Sequence, residues 1–153
     1  MLAHRPVEKP DLARTCSFLR SEEELFHAYP KAVFPLTPAQ LQQAIDQRRD
    51  PTVVEHDETV VGFANFYRWE GGICCFGNVA VAPRARGRGV GQYFIRTMIG
   101  LARENHGATE GRVSCFNANV GGLLLYTKLG FEPFSVEERW AAGGADSHAW
   151  ASR

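Results

Sequence analysis

The feature that most constrains this chain is an apolar run that ends at a proline and leads directly into a glycine-rich turn. The run ICCFGNVAVA covers residues 73–82, and the turn PRARGRGVGQ covers residues 83–92. Apolar residues then recur at positions 90, 94, 95, 98, 101 and 102, which is helical spacing, and Gly107 is a natural stop. The stretch therefore predicts a strand, a glycine turn and a helix in succession.

Such a turn exposes backbone N–H groups at a helix N-terminus. The first amides of a helix have no partner within it, and the helix dipole adds partial positive charge. Glycine adopts the angles that aim successive amides at one point. No Asp or Glu lies between Glu70 and Glu104, whereas Arg84, Arg86 and Arg88 lie in the turn. The turn predicts an anion site, best suited to phosphate or diphosphate.

The sequence of the turn excludes two familiar phosphate-binding motifs. A Walker loop needs Gly-Lys-Ser/Thr, but Gly91 is followed by Gln92, and the dinucleotide fingerprint would need a glycine at position 92. A mobile surface turn with solvated arginines is the alternative interpretation. The turn alone does not decide between the two.

The rest of the chain predicts one α/β domain over residues 1–153 with a mixed sheet. Ser21 with Glu24 and Thr37 before Pro38 have the spacing of helix starts, and the runs on either side of Asp57 form a hairpin. The predicted order is strand, helices, three antiparallel strands, helix, strand, helix and closing strands.

Composition narrows the function classes. The 17 basic and 17 acidic residues balance, which argues against bulk binding of nucleic acid. No apolar run is long enough to span a membrane, and the N-terminal residues lack the apolar core of a signal peptide. Cys16, Cys74, Cys75 and Cys115 show no C-x-x-C spacing, so we expect buried reduced thiols, no metal site and a cytoplasmic protein.

A later segment, NANVGGLLLYTKLG, predicts a helix that Asn117 or Asn119 caps and Gly130 ends. Asn119 and Tyr126 lie seven residues apart, close to two turns, so both project from one face. An asparagine that only caps the helix and a tyrosine that only packs in the core remain the alternatives.

Taken together, VAVAPRARGRGVG and NANVGGLLLYTKLGF resemble the two signature regions of the GNAT superfamily of acetyl-CoA-dependent N-acetyltransferases. Arg86, Gly89 and Gly91 match the family's Q/R-x-x-G-x-G/A pattern, and Asn119 and Tyr126 match its second helix. ELFHAYPKA and GFANFY also resemble a bacterial branch of small GNAT proteins. The resemblance covers nearly the whole chain and implies a mixed, mostly antiparallel central sheet with helices on both faces.

The resemblance also implies how acetyl-CoA is held. Two neighbouring strands splay, and the backbone of Val79, Ala80 and Val81 pairs with the pantetheine arm. Asn119 hydrogen-bonds the pantetheine, and Tyr126 stands beside the sulfur. The diphosphate is expected on the amides, with help from arginine side chains, of Arg86, Gly87, Arg88, Gly89, Val90, Gly91 and Gln92.

Direct transfer to an amine then needs an acid and a base. A phenol has a pKa of about 10 and a thiol of roughly 8.5, so Tyr126 can return a proton to the leaving sulfur. An amide near Val79 is expected to stabilise the oxyanion. The strand at residues 73–82 has no carboxylate, which leaves water relayed to Glu24, His27 or His56, or a small neutral fraction of the amine.

The acceptor site is expected to use His27, Tyr29 and Asn117, with Phe26 and Phe66 either lining it or packing in the core. A nucleophilic Cys75 or Cys115 is a weaker possibility, because buried thiols are commonly inert.

The leading hypothesis is a monomeric or homodimeric N-acetyltransferase that acts on the primary amine of a small molecule or peptide lysine. A non-catalytic acyl-CoA-binding sensor or interaction module is the alternative, and a nucleotide- or RNA-binding domain is a third, weaker one.

Overall fold

The fold is an α/β arrangement of seven strands and five α-helices, with a short 3-10 helix at Pro83–Ala85, in the residues that the computed structural model describes, namely 1–116, 119–137 and 147–152. The strands are β1 (Leu2–Pro6), β2 (Arg49–His56), β3 (Thr59–Arg68), β4 (Ile73–Val81), β5 (Glu110–Phe116), β6 (Glu132–Glu137) and β7 (Ser147–Ser152). The helices are α1 (Asp11–Cys16), α2 (Glu22–Ala28), α3 (Pro38–Gln47), α4 (Val90–His106) and α5 (Val120–Lys128). This order confirms the predicted one.

The sheet has the strand order β1-β2-β3-β4-β5-β7-β6. Only the β4–β5 pair is parallel among the described strands, and the other neighbours run antiparallel. The predicted mixed, mostly antiparallel sheet is therefore confirmed. β7 lies between β5 and β6, so the end of the chain returns into the sheet.

Helices cover both faces of β3, which is buried from Val60 to Phe66. Gly62 faces α4, since a Cβ at Gly62 would lie 2.9 Å from the Phe94 ring. Successive side chains of a strand point to opposite faces of the sheet, so Asn65, three residues after Gly62, faces the other side. There it donates to Asn78, which in turn donates to the last residue of α2. The predicted two-sided cover is thus confirmed.

A β-bulge interrupts β4. Phe63 lies opposite Ala80 and Asn65 lies opposite Gly77, so β4 uses one residue more than β3 over this interval. Asn78 lies within the extra length and has a φ of 50°. Asparagine is one of the few side chains that tolerate this left-handed conformation, and a bulge bends the strand that carries it.

β4 and β5 part next to the bulge. Their ladder ends at the pair Phe76–Val113, while β5 continues on its other side against β7 as far as Phe116. Residues 77–81 of β4 therefore have no ladder partner in the described part of β5. We call this opening the splay, and it is the feature that the resemblance implied.

Several helix ends follow the predicted capping. The side chains of Ser21, Thr37 and Asn119 each accept a hydrogen bond from the amide three residues further on. Gly107 ends α4 in the left-handed conformation, with a φ of 60°. The Glu24 carboxylate does not complete a capping box at α2. It accepts a hydrogen bond from Arg86 of the glycine turn instead. No helix in the described ranges is long and apolar enough to cross a membrane.

The first strand is fastened to the rest of the domain by Arg5. Its guanidinium donates to both carboxylate oxygens of Asp11, at 2.8 and 3.0 Å, and to Glu55 of β2. Asp11 also accepts from the amide of Glu8 at 2.7 Å. The bond from Arg5 holds the pKa of the Asp11 carboxyl below its usual value, although burial opposes this shift.

We expect Asp11→Asn to lower the free energy of unfolding at pH 7 by about 2 kcal/mol, because Arg5 loses a charged acceptor. A folded-state pKa below the unfolded one adds stability above the unfolded pKa, which is lost as pH falls through the folded pKa. Urea unfolding should therefore show a gap between variant and parent that narrows below about pH 4. The surface variant Asp46→Asn is the control, and an equal gap at all pH values would contradict the assignment.

Candidate functional site

The glycine turn reaches α4 through two left-handed glycines. Gly87 has a φ of 75°, and Gly89, the N-cap of α4, has a φ of 80°. A Cβ at either position would meet open space, so the backbone conformation alone is what requires glycine there. The two glycines turn the chain from β4 into the helix with its amides exposed.

The amides that follow are available to a ligand. None of the hydrogen bonds between described residues uses an amide of residues 87–92, and that of Arg86 donates to the Pro83 carbonyl at 3.4 Å. These donors stand at the positive end of the 17-residue α4, next to the exposed Arg84 and Arg88. The arrangement fits the two phosphates of a diphosphate.

Arg86 differs from the other arginines of the turn because its side chain is engaged within the protein. Its Nε donates to the Val81 carbonyl at 3.1 Å, and its Nη2 donates to the Phe18 carbonyl at 3.2 Å and to Glu24 at 3.0 Å. The guanidinium thus ties the turn to α2 and the segment before it. In this arrangement the side chain supports the turn, and its contact with a phosphate stays a prediction.

The residues predicted to contact the pantetheine lie on the edge of β4 in the splay. Val79 and Val81 are partly buried and Ala80 is buried, so this edge lies inside the fold and close to the turn. Arg86 already occupies the Val81 carbonyl. The unpaired length of β4 can accept an extended polar chain as an additional strand, which suits an amide-containing arm.

α5 brings the predicted asparagine and tyrosine to the same region. The Asn119 side chain caps α5 by accepting from the Gly122 amide at 3.1 Å, so the capping role is confirmed. The Tyr126 ring is only 6% exposed and packs edge-on against Phe131, which in turn packs against Phe76. Phe76 is the last residue that joins β4 to β5, so these rings place Tyr126 at the base of the splay.

The glycine turn and α5 are in contact. A Cβ at Gly91 would lie 2.9 Å from the Leu125 side chain, so glycine allows the first turn of α4 to approach the helix that carries Tyr126. The amides, the β4 edge and Tyr126 therefore surround one region of the molecule.

Burial sets the titration of the groups near Tyr126. It raises the pKa of the phenol well above its ordinary value, and the nearby Cys115 adds to the shift. It also raises the pKa of Cys115 to about 11. Tyr126 therefore keeps its proton at neutral pH, while Cys115 stays a thiol and a poor nucleophile. The Cys75 thiol is buried with a raised pKa as well.

The three predicted bases differ in environment. Burial raises the pKa of Glu24, but Arg86 and, to a smaller extent, Arg20 outweigh it and leave the pKa below the usual value. Burial lowers the pKa of His27, which keeps the ring uncharged at neutral pH. His56 is exposed at the β2–β3 hairpin and is separated from β4 by β3. No group of three or more metal-binding side chains occurs in the described residues.

Tyr29, for which a substrate contact is predicted, packs against Arg48. Its ring lies 5.6 Å from the guanidinium carbon of Arg48, which lies at the same distance from the ring of Tyr67. Phe66 is fully buried and belongs to the core. Asn117 lies outside the described residues. Sequence reasoning missed Arg48, which stands in no recognisable motif, and Tyr67, which ends the GFANFY segment without a role indicated for it.

The chain belongs to the Acetyltransferase (GNAT) family, which it matches over residues 15–131. No curated protein matches it in sequence. The family match covers β4, the glycine turn and α5, the elements that form the site described above.

Solved structures show the same fold at low identity. Spermidine N-acetyltransferase from Vibrio cholerae, in complex with CoA and spermine, superposes with a TM-score of 0.81 at 17% identity, covering 99% of this chain and 94% of that one. The yncA protein from Salmonella typhimurium, with its cofactor acetyl-CoA, gives 0.76 at 18%, covering 100% and 94%. The ribosomal-protein-S18-alanine N-acetyltransferase from Escherichia coli gives 0.77 at 18%, covering 99% and 92%.

We expect Gly89→Ala to weaken CoA binding at least about tenfold and to cost about 1–2 kcal/mol of stability, because alanine is strained at this φ. Calorimetric titration with CoA and urea unfolding measure the two effects. Gly100→Ala, in the same helix with open space around it, is the matched control and should retain full affinity. Equal CoA affinity in both variants would contradict the role of the turn.

Proposed function

We propose that this chain is an N-acetyltransferase that transfers the acetyl group of acetyl-CoA directly to a primary amine. The observation that carries the proposal is the convergence of the free amides of residues 87–92, the unpaired edge of β4 and the buried Tyr126. Membership of the GNAT family supports it. A single domain over residues 1–153, a cytoplasmic location and a monomeric or homodimeric state remain predictions.

The residues present fit coenzyme A, which when bound would supply an acetyl thioester ready for attack. The amides of the glycine turn would hold the diphosphate, and Arg86 would keep the turn in place through Glu24. Val79 and Ala80 would pair with the pantetheine. Asn119, which also caps α5, would contact it. An amide near Val79 would stabilise charge on the carbonyl oxygen.

Tyr126 would then deliver a proton to the departing sulfur. Its raised pKa keeps the proton on the hydroxyl before reaction. The same shift makes the donation more uphill than it is for an exposed phenol, so the pKa of Tyr126 matches that of a thiol less well than an ordinary phenol's does. We therefore expect a contribution of about 10²-fold, at the lower end for general acids.

The amine has to lose a proton, and β4 offers no carboxylate for this step. Glu24 is held by Arg86 and is a weak base. His27, whose pKa is lowered by partial burial, would accept the proton through water, or the amine would bind in its neutral form.

An acyl-CoA-binding sensor without turnover is the second candidate. The same observations favour it, since β4 carries no base and the phenol is a weak acid. The two candidates share the cofactor site and differ only in whether thiol is released.

We expect Tyr126→Phe to lower kcat about 100-fold while acetyl-CoA affinity stays within about twofold, since only a hydroxyl is lost. Turnover is followed as release of CoA thiol with a panel of amines and lysine peptides. Tyr93→Phe, which removes a hydroxyl that contacts His4 of β1, is the matched control and should turn over normally.

Unchanged turnover in Tyr126→Phe would rule out the general-acid role. Acetyl-CoA binding without thiol release for any acceptor, in the parent protein, would favour the sensor.

A further inference from the structure

Arg48 lies at the C-terminal end of α3, directly before β2, and its guanidinium stands between two aromatic rings. The guanidinium carbon is 5.6 Å from the ring centre of Tyr29 and 5.6 Å from that of Tyr67. We call these three residues the acceptor cluster. Tyr67 is 43% exposed, so the cluster opens to solvent.

The acceptor cluster faces the splay. A Cβ at Gly77, the first unpaired residue of β4, would lie 2.6 Å from the Arg48 Nη1 and 2.8 Å from Tyr67. The Tyr67 hydroxyl lies 3.4 Å from the Ser114 hydroxyl on β5, just beyond the last β4–β5 pair. Only glycine at position 77 leaves room for the guanidinium beside the splayed strand.

Arg48 uses one edge of its guanidinium within the protein. Nη1 donates to the side-chain oxygens of Asn78 at 2.8 Å and of Asn65 at 3.2 Å, both of which are neutral. Between described residues, Nε and Nη2 of Arg48 make no hydrogen bond, and no carboxylate forms an ion pair with Arg48. The two nitrogens form the fork that binds a carboxylate with two parallel bonds.

A half-buried cation without an anionic partner is unusual, because burial penalises the charge. Burial lowers the pKa of Arg48 for this reason. The other partly buried arginines of the described chain, Arg5 and Arg112, each pair with a carboxylate. The exception lies at the splay, where the second substrate must approach the thioester.

We propose that the acceptor is an amine that also carries a carboxylate, bound by the Nε–Nη2 edge of Arg48 between Tyr29 and Tyr67. This proposal rests on the proposed N-acetyltransferase function and names the substrate class. A polyamine is disfavoured, because the fixed charge of Arg48 repels a second cation at this position.

The test compares matched acceptors. The kcat/KM for thiol release is measured with L-amino acids, with the same amino acids as C-terminal amides, and with spermidine. We expect the carboxylates to exceed their amides about tenfold or more, and Arg48→Gln to bring the ratio of the two kcat/KM values close to one. Arg48→Lys should restore part of it. Arg49→Gln, which alters an arginine stacked on Trp69, is the matched control.

The outcomes separate this proposal from the one on which it rests. If calorimetry detects no acetyl-CoA binding, the proposed function itself fails. If amides or spermidine react as well as the carboxylates, or Arg48→Gln lowers all acceptors equally, the substrate class is wrong while acetyl transfer stands. If no acceptor turns over, calorimetry of the amino acids on the CoA-bound protein decides, and binding that does not depend on Arg48 overturns the proposal.

Discussion

The hydrogen bonds around Asn78 fix where β4 leaves β5, and the rest of the site depends on that point. The Asn78 side chain accepts from Arg48 and Asn65, each at 2.8 Å, and donates to the Ala28 carbonyl at 3.0 Å. These bonds compensate for a left-handed backbone that costs a non-glycine residue about 1–2 kcal/mol. The bulge bends β4 just after Phe76, so the ladder to β5 ends there and the next residues offer an unpaired edge.

If the proposed function holds, the two substrates would bind on different sides of that opening. The glycine turn continues from the end of β4, so its amides lie further along the same edge on which we propose that the pantetheine binds. Arg86 joins this turn to Glu24 of α2, and Asn78 joins β4 to the end of the same helix. α2 therefore links both halves of the site, and it leads into Tyr29 of the acceptor cluster.

The local structure was largely predictable because it follows from short-range chemistry. Ser21, Thr37 and Asn119 act as caps, and Gly107 ends α4, since each motif lies within a few residues. The bulge at Asn78 was not predictable, because its partners stand 13 to 50 residues away. The glycine turn predicted free amides correctly, because that feature is local. The inward hydrogen bonds of the Arg86 side chain were not predictable, because they depend on Phe18 and Glu24. No sequence pattern indicated a role for Arg48.

The central claim is that the backbone amides of residues 87–92 bind the diphosphate of coenzyme A. Backbone amide NMR spectra of the protein titrated with CoA, and separately with pantetheine, which lacks the diphosphate, test it most directly. The account predicts large shifts of these amide signals with CoA and little change with pantetheine. Saturating CoA binding that leaves the amides of residues 87–92 unshifted would contradict it.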